Sequence, residues 1–455
     1  MKRFILIFII FTYGCSFDNK TGIWKDASEF PVYSGVNNTI EDQTDNQYEQ
    51  VFSNKKTFYE EKNNEDNIKL TLDAAQKNTN WQQEFGNNYN NISNYSYSNN
   101  KVLTYKSKRL SKLSHKHNHI NNHFIFKEDK IISYDHKGTI FIFSITENKK
   151  IFEFNFYQKK FKNYLKELYM ALDNGNLYVA DNLGYMYVVN IEKNNIKWAK
   201  NFGIPFRSNI KILDNQIFLA NQDNILYSVN TINGNINWQF SSNIILLKSE
   251  FKNNIALDET EDNLLFLNTA GQLYSLNYIS QRINWVLNFK SPTVSTETNL
   301  FLSYPIAIKN NNLIVSTENG LSNYDVITGE RKWSFSLDPF IKPIVTNYYV
   351  FSFTKNNLLV CNDVKTGDVL WSKNIFNEVN NEKKINKIGK IISLNIADGD
   401  INLFSSEGYI LSFTYENGNL KYFEKLSNNG ISSQIIYAND EMYLFDNRNK
   451  LLKFN

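Results

Sequence analysis

Short apolar runs alternate with turns rich in Asn, Asp and Gly along most of the chain. Residues 173–202 show the unit most clearly, because apolar runs at 177–179 and 185–189 each follow a turn, and a last run carries Trp198. Aromatic and β-branched runs between such turns are typical of consecutive antiparallel hairpins. The pattern therefore predicts a meander of short strands.

The same order of turns and runs recurs down the chain, and each copy ends on an aromatic residue that serves as a blade anchor. The anchors are Phe152, Trp198, Trp238, Trp285, Trp333, Trp371 and Tyr422, in steps of 38 to 51 residues. A period of roughly 40–50 residues built from short strands is typical of propeller blades, whereas helical solenoids need an amphipathic helix in every repeat. One aromatic anchor per blade indicates packing between blades; stacking platforms for a ligand would instead have to line a channel.

The two ends of the repeat region indicate how the ring closes. Residues 439–455 contain two strands of a repeat and lack its Trp-bearing outer strand. Residues 79–86 match that missing strand, with Trp81 and Phe85 spaced as Trp198 and Phe202 are, so Trp81 is an eighth anchor. The sequence predicts an all-β, eight-bladed β-propeller over residues 78–455, with four-stranded antiparallel blades and an N-terminal closing strand. Seven blades is the alternative, because the first and last copies are degenerate.

The first residues carry an export signal. Met1 to Arg3 is basic, and the apolar run 4–14 is too short to span a bilayer, which needs about 20 residues. We expect a lipoprotein-type signal peptide over 1–14, because the Gly14-Cys15 ending resembles the lipobox of bacterial lipoproteins. Cys15 is then the lipidation site; the alternative is an ordinary signal peptide with an incidental Cys. Cys361, the other Cys, lies in an apolar strand without a disulfide partner.

Two polar stretches surround the predicted closing strand. Residues 15–77 have few aliphatic residues and indicate a flexible polar tether, with a short helix near 68–76. Residues 87–122 form an insert before the first full blade. Apolar residues at helical spacing in 159–170 also suit a short amphipathic helix.

Composition and motifs exclude several classes of function. The formal charge is +3, and removal of Lys2 and Arg3 with the leader leaves 47 − 46 = +1, so no nucleic acid is expected as a partner. His115, His117 and His119 could converge on a transition metal if they occupied one strand, or they could belong to a solvated loop. We find no nucleophile elbow, phosphate loop or zinc spacing, so we expect no catalytic residues and no enzyme.

The blade motif ends in Thr-Gly-x-x-x-Trp, most clearly at 328–333 and 366–371. It resembles the repeat of pyrroloquinoline-quinone-type propellers. One branch of that superfamily, the quinoprotein dehydrogenases, holds the quinone and a calcium ion beside a vicinal Cys pair. This chain has no Cys-Cys, so we expect no cofactor.

The other branch is the BamB family, lipoproteins of the outer-membrane β-barrel assembly machinery (the BAM complex). These are eight-bladed propellers closed by an N-terminal strand and tethered through a lipidated Cys. The resemblance implies a non-enzymatic scaffold, lipid-anchored at the outer membrane and facing the periplasm, that supports membrane insertion of β-barrel proteins. The alternatives are a quinoprotein-like enzyme or cofactor carrier, or a periplasmic propeller that binds another protein or a polysaccharide.

The same resemblance names a partner and a contact loop. BamB binds the POTRA domains of BamA, the barrel-forming subunit, through an inter-blade loop with an apolar-x-apolar-Arg pattern after a Trp strand. Here Ile204, Phe206 and Arg207 follow Trp198 in a comparable place. By resemblance Ile204 and Phe206 are apolar anchors and Arg207 is the charged contact; alternatively Ile204 and Phe206 begin the next blade's inner strand. Nascent outer-membrane proteins are further candidate partners.

Overall fold

A computed structural model describes residues 15–17, 24–26, 57–64, 69–111, 123–157, 161, 164–245, 249–290, 300–318, 320–377, 379 and 382–455. The chain divides into two units, residues 1–54 and 55–455. In the first, β1 (Cys15–Phe17) pairs antiparallel with β2 (Trp24–Asp26). The second holds the remaining strands and one helix, α1 (Glu382–Ile388).

The larger unit is an eight-bladed β-propeller, which confirms the predicted fold class and makes the seven-blade alternative wrong. Two short strands, β3 (Asn80–Trp81) and β4 (Leu103–Lys106), precede the blades in the chain. The first four blades run in chain order from the innermost to the outermost strand. Blade 1 consists of β5 (Ile125–Lys127), β6 (Lys130–Tyr134), β7 (Thr139–Ser144) and β8 (Lys149–Asn155), and blade 2 of β9 (Leu168–Asp173), β10 (Asn176–Asp181), β11 (Tyr185–Asn190) and β12 (Asn195–Asn201). Blade 3 consists of β13 (Lys211–Leu213), β14 (Gln216–Ala220), β15 (Ile225–Asn230) and β16 (Ile236–Ser241), and blade 4 of β17 (Asn254–Asp258), β18 (Asn263–Leu267), β19 (Gln272–Asn277) and β20 (Ile283–Asn288).

The second half of the ring repeats this order up to the last blade. The strands are, in blade 5, β21 (Ala307–Lys309), β22 (Asn312–Thr317), β23 (Gly320–Asp325) and β24 (Arg331–Phe335); in blade 6, β25 (Ile344–Val345), β26 (Tyr349–Phe353), β27 (Leu358–Asp363) and β28 (Val369–Asn374); in blade 7, β29 (Ile391–Ala397), β30 (Asp400–Ser405), β31 (Tyr409–Thr414) and β32 (Leu420–Lys425); in blade 8, β33 (Ile436–Ala438), β34 (Glu441–Phe445) and β35 (Leu451–Phe454). All neighbouring strands within the blades pair antiparallel, and aliphatic and aromatic side chains between blades form the core.

An N-terminal strand closes the ring, but it is not the one that the Trp spacing indicates. The fourth strand of blade 8 is β4, with Lys453 opposite Tyr105 and Leu452 opposite Lys106. The assignment of residues 79–86 to this position is wrong. An outermost strand needs only an extended backbone that can pair, and the sequence Leu-Thr-Tyr-Lys supplies it without a Trp.

Trp81 is consequently not an outer-strand anchor. Its strand, β3, pairs with β5 at the inner edge of blade 1, where Trp81 lies opposite Phe126. The Trp81 ring is 4% exposed and stacks on Tyr95, with 5.9 Å between ring centroids. The pairing of β3 with β5 and the contact with Tyr95 bury this indole beside the propeller axis.

The described parts of the predicted tether also differ from expectation. Residues 69–77 form no helix. Leu70 is buried, and Asp73 lies 3.2 Å from the Lys309 ammonium. Lys62 forms an antiparallel bridge with Ser372 of β28, with N–H···O distances of 3.1 and 2.8 Å. Residues 57–64 and 69–77 therefore pack on the propeller. Residues 164–167 are not helical either, and Leu168 already begins β9.

Candidate functional site

The propeller axis is crossed by a segment of the chain itself, residues 78–99, which we call the axial segment. It contacts the innermost strands of blades 1 to 7 and the turn that follows the innermost strand of blade 8, in chain order around the ring. The contacts are Trp81 with Phe126, Gln82 with Leu172, Asn87 with Lys211, Asn88 with Leu257, Tyr89 with Ile308, Asn91 with Val345, Tyr95 with Ile396 and Ser98 with Asp440. One end of the axial channel is thereby filled by protein.

Asparagine side chains let this polar segment lie in the interior. The Asn91 amide donates to the Val345 carbonyl at 2.9 Å and accepts from the Val345 N–H at 3.1 Å, as a paired strand would. Asn90 donates to the Ile255 carbonyl at 3.0 Å. Asn90 and Asn91 are 0% and 5% exposed. Each amide pairs a buried backbone group of an inner strand, and the Asn91 amide pairs both the N–H and the carbonyl of Val345.

A cavity of about 780 Å³ lies next to the axial segment. Trp81 and Tyr95 line it from the axial segment, and Ile391, Ile431 and Ile435 line it from the chain just before or at the start of the inner strands of blades 7 and 8. A cavity of this size that combines apolar surface with a few polar groups is typical of small-molecule sites in proteins.

The charged side chains that line the cavity are mostly cationic. Lys342, His123 and the exposed Lys390 line it, whereas Glu407 is the one carboxylate among the described residues that line it. Burial lowers the pKa of Lys342 to about 8. Its ammonium donates to the Pro343 carbonyl at 3.3 Å.

A second buried lysine lies at the axial segment. The Lys211 ammonium donates to the Asn87 carbonyl at 2.5 Å, and the residue is fully buried. Burial lowers its pKa to about 7; the Glu84 carboxylate opposes the shift and the Lys342 ammonium adds to it. Lysines therefore lie both in the lining of the cavity, at Lys342, and against the axial segment, at Lys211.

Glu84 of the axial segment forms an ion pair with His123, Oε1 to Nε2, at 2.9 Å. Gln434 donates its amide N–H to the Phe124 carbonyl at 2.9 Å, so its oxygen faces His123 Nδ1 at 3.1 Å. Both ring nitrogens thus face acceptors, which favours the doubly protonated imidazole. Burial acts to lower the pKa of His123, but the charge and hydrogen bond of Glu84 outweigh it and the pKa is raised.

The cavity does not fit the calcium–quinone pair of quinoprotein dehydrogenases. Calcium takes six to eight oxygen ligands, with carboxylates prominent among them. In the described parts of the chain no three His, Cys, Asp or Glu side chains lie close enough to hold a metal ion. Among the described residues, Glu407 is the one carboxylate that lines the cavity, beside Lys342 and Lys390. A calcium ion would need several carboxylates at such a site, where this cavity presents lysines.

The predicted partner-binding residues lie in the connection from blade 2 to blade 3. Phe206, predicted as an apolar partner-binding anchor, is 1% exposed and packs against Phe202 and Tyr227, so its ring belongs to the core between these blades. Ile204 and Arg207 are half-buried. The Arg207 guanidinium donates to the Ser249 carbonyl.

Other candidates fall elsewhere. His115, His117 and His119 lie outside the described residues, as does the predicted signal peptide over 1–14. Cys15 begins β1, and nothing of its side chain is described. Cys361 is buried in blade 6, and burial raises its thiol pKa.

Sequence reasoning missed Lys342 and the axial role of Trp81. Lys342 follows Ile341 and precedes Pro343, a context with no motif. The available signal was isoleucine at the start of β29, at 391–392, and just before β33, at 431 and 435, because exposed connections seldom carry several isoleucines.

Comparisons with known proteins bear on the family. The family model described as outer membrane protein assembly factor BamB matches residues 136–373 and 253–455. No curated protein sequence matches. BamB from Moraxella catarrhalis superposes with a TM-score of 0.59 at 12% identity, over 78% of this chain and 100% of that one. The quinohemoprotein alcohol dehydrogenase ADHIIG from Pseudomonas putida HK5 gives 0.59 at 8% identity, over 83% and 80%. The computationally designed protein Ika8 gives 0.56 at 9% identity, over 74% and 96%.

The likeness to these solved structures shows the fold that they share, and BamB and dehydrogenases both occur among them. In the described residues no helix is long and apolar enough to cross a membrane. The family match overlaps blades 1 to 8 and covers most of the sequence. The chain therefore belongs to the family of the outer membrane protein assembly factor BamB, a family of pyrroloquinoline-quinone-type β-propellers.

Proposed function

We propose that this protein is a non-enzymatic scaffold lipoprotein that supports assembly and insertion of β-barrel proteins into the outer membrane by binding the POTRA domains of the barrel-forming subunit. The observation that carries the proposal is the family match over residues 136–455, which spans nearly the whole ring. The shared fold with Moraxella BamB over that protein's full length supports it.

The construction of the axis supports a scaffold over a quinone enzyme. The axial segment fills one end of the channel with hydrogen bonds to all eight blades, which makes the ring rigid. The adjacent cavity presents lysines where a calcium–quinone pair would need carboxylates. A rigid body with exposed loops is suited to docking a partner domain without large rearrangement.

The connection between blades 2 and 3 is the proposed partner contact. Ile204 and Arg207 are partly exposed at its surface, and the buried ring of Phe206 packs in the core below it. Arginine beside an apolar side chain is common at energetically important interface positions. Lipidation of Cys15 would tether the propeller to the periplasmic face of the outer membrane.

The test is affinity capture of the full-length protein from native membranes in mild detergent, followed by mass spectrometry. We expect near-stoichiometric recovery of a POTRA-containing outer-membrane barrel. The variants Ile204→Asp and Arg207→Glu should each reduce recovery at least tenfold, and Lys365→Glu, in an exposed turn of blade 6, should not.

Two results would contradict parts of this proposal. Capture of a soluble redox protein or a polysaccharide without any barrel would overturn the assembly role. Undiminished capture of the barrel by both loop variants would overturn the named contact and leave the role itself in place.

A further inference from the structure

Lys342 is a half-buried cation in the axial cavity with no carboxylate beside it. Its ammonium contacts the Pro343 carbonyl at 3.3 Å, a long hydrogen bond to a neutral group. In the described part of the chain no Asp or Glu oxygen lies within ion-pair distance of it. Burial is the one cause that shifts its pKa, which agrees with the absence of a nearby counter-charge. Buried charges in native proteins are normally paired.

Trp81, which lines the same cavity, has a second unmatched group. Its indole N–H is buried and finds no acceptor within the described residues, although the residue is only 4% exposed. Indole N–H groups in protein interiors usually do find a partner. An ammonium without a counter-ion and the ring of this tryptophan thus line one cavity.

The rest of the lining combines aliphatic surface, supplied by Ile391, Ile431 and Ile435, with polar groups. Lys390, whose ammonium is 5.0 Å from the centre of the Phe340 ring, and Glu407 are both exposed, where water screens their opposite charges. The half-buried Lys342 is therefore the cation that a ligand in the cavity would meet with less screening. The cavity is therefore complementary to a molecule with an anionic end and an apolar body.

We propose that the axial cavity binds an organic anion whose carboxylate pairs with Lys342 and whose apolar body lies on Trp81 and the isoleucines. This site is separate from the proposed partner contact at Ile204 and Arg207. The carboxylate could come from a free aliphatic acid or from the C-terminus of a polypeptide, since both present the same chemistry.

The experiment uses the purified full-length protein and isothermal titration calorimetry. The probes are octanoate, its neutral analogue 1-octanol, and the tetrapeptide Ala-Ala-Ala-Phe with a free or an amidated C-terminus. We expect at least one acid to bind at least tenfold more tightly than its neutral analogue. Octanoate binding identifies a free acid as the source, and selective binding of the free-acid peptide identifies a polypeptide end.

Substitutions of Lys342 test whether its ammonium is the group that pairs with the carboxylate of the ligand. Lys342→Met and Lys342→Gln should each weaken binding of the acid at least tenfold, and Lys342→Arg should retain it within about threefold, because the positive charge is kept. Lys365→Met, an exposed lysine of blade 6, is the matched control. Thermal melts and circular dichroism establish that each variant is folded.

The outcomes decide the proposal even if a variant fails to fold. In the wild-type protein, equal affinity for acid and neutral analogue, or no binding of either acid at millimolar concentration, overturns it. So does undiminished binding by a folded Lys342→Met or Lys342→Gln variant.

Discussion

Trp333 in the outermost strand of blade 5 lies against Gly367 in a turn of blade 6. Its indole N–H donates to the Val364 carbonyl at 2.8 Å, and a Cβ on Gly367 would come within 2.6 Å of the ring. The same relationship joins three further pairs of neighbouring blades. The pairs are Trp198 with Gly234, Trp285 with Gly329, and Trp371 with Gly418. The Gly and Trp of one Thr-Gly-x-x-x-Trp motif therefore serve two different interfaces.

Gly367→Ala should destabilise the protein by about 2–5 kcal/mol. The positive φ of +80° costs a side chain about 1–2 kcal/mol, and the clash with Trp333 adds about 1–3 kcal/mol. Urea unfolding measures the change. Gly399 is the matched control, because it has the same φ and its nearest neighbour would be 3.9 Å from the Cβ. Equal losses for Gly367→Ala and Gly399→Ala would mean that the indole yields to the methyl group.

Trp238 should contribute less than its counterparts. Gln281 occupies the turn position that Gly holds in blades 3, 5, 6 and 7, and the Trp238 indole N–H has no acceptor among the described residues. Trp333→Phe should therefore cost about 1 kcal/mol more than Trp238→Phe, the usual value of one hydrogen bond. Equilibrium unfolding of both variants checks this difference; a larger cost for Trp238→Phe would contradict it.

Asn91→Ala tests the axial segment. The substitution leaves the buried N–H and C=O of Val345 without partners, so we expect a loss of about 2–4 kcal/mol in unfolding free energy. Asn237→Ala removes one exposed amide, hydrogen-bonded at 3.2 Å, and should cost below about 1 kcal/mol. Similar losses for the two variants would show that water replaces the Asn91 contacts.

The Glu84–His123 pair should make stability depend on pH. The raised pKa of His123 gives stability that is full below 6.5 and is lost as the pH rises through the folded value. Burial acts to raise the pKa of Glu84, but His123 and nearby lysines lower it overall, so its contribution is present above 4.5 and lost on acidification. The pair is thus strongest between about pH 4.5 and 6.5.

A double-mutant cycle with Glu84→Gln and His123→Gln isolates this pair, since other titrating groups are common to all four proteins. Urea unfolding at pH 5.5 and 8.5 measures the coupling free energy. We expect it to be favourable at pH 5.5 and to shrink at pH 8.5. A coupling that does not change between the two would show that His123 does not titrate in this range.

Phe206→Ala should reduce stability and not only partner binding. Removing a ring that is 1% exposed costs about 3–5 kcal/mol. Ile204→Ala, at a half-buried position, should cost under about 2 kcal/mol. Thermal or urea unfolding of the two variants checks the difference. If Phe206→Ala loses capture of the partner while keeping wild-type stability, the ring contacts the partner directly, as the resemblance implies, and is not part of the core.

The blades could be predicted because their signals are local. Each depends on alternating apolar residues and on turns within about 45 residues, and such patterns arise from the pleat of the strand itself. Seven of the eight predicted anchors, Phe152, Trp198 and the five that follow them, lie on the outermost strands of their blades. Trp81 does not.

Closure by an N-terminal strand could be predicted, but which strand closes the ring and the path of the axial segment could not, because both depend on partners far away in the chain. The strand at Leu103–Lys106 has no feature that distinguishes it from other polar extended segments. Asn90 and Asn91 belong to a stretch whose composition is typical of a solvated loop, yet they pair with inner strands over 160 residues away. Side-chain amides that substitute for backbone partners leave no periodic pattern.

The path of the axial segment sets the order in which the fold can be completed. A ribosome makes residues 78–106 before every blade that they contact, so β3 can pair with β5 early but β4 must wait for β35, about 350 residues further along the chain. Asp440, which pairs with Ser98, also follows its partner by more than 300 residues. Contacts between such distant positions slow folding and leave the open intermediate vulnerable to aggregation. Loss of Leu451–Phe454 alone would remove the strand that β4 pairs with and leave the ring open.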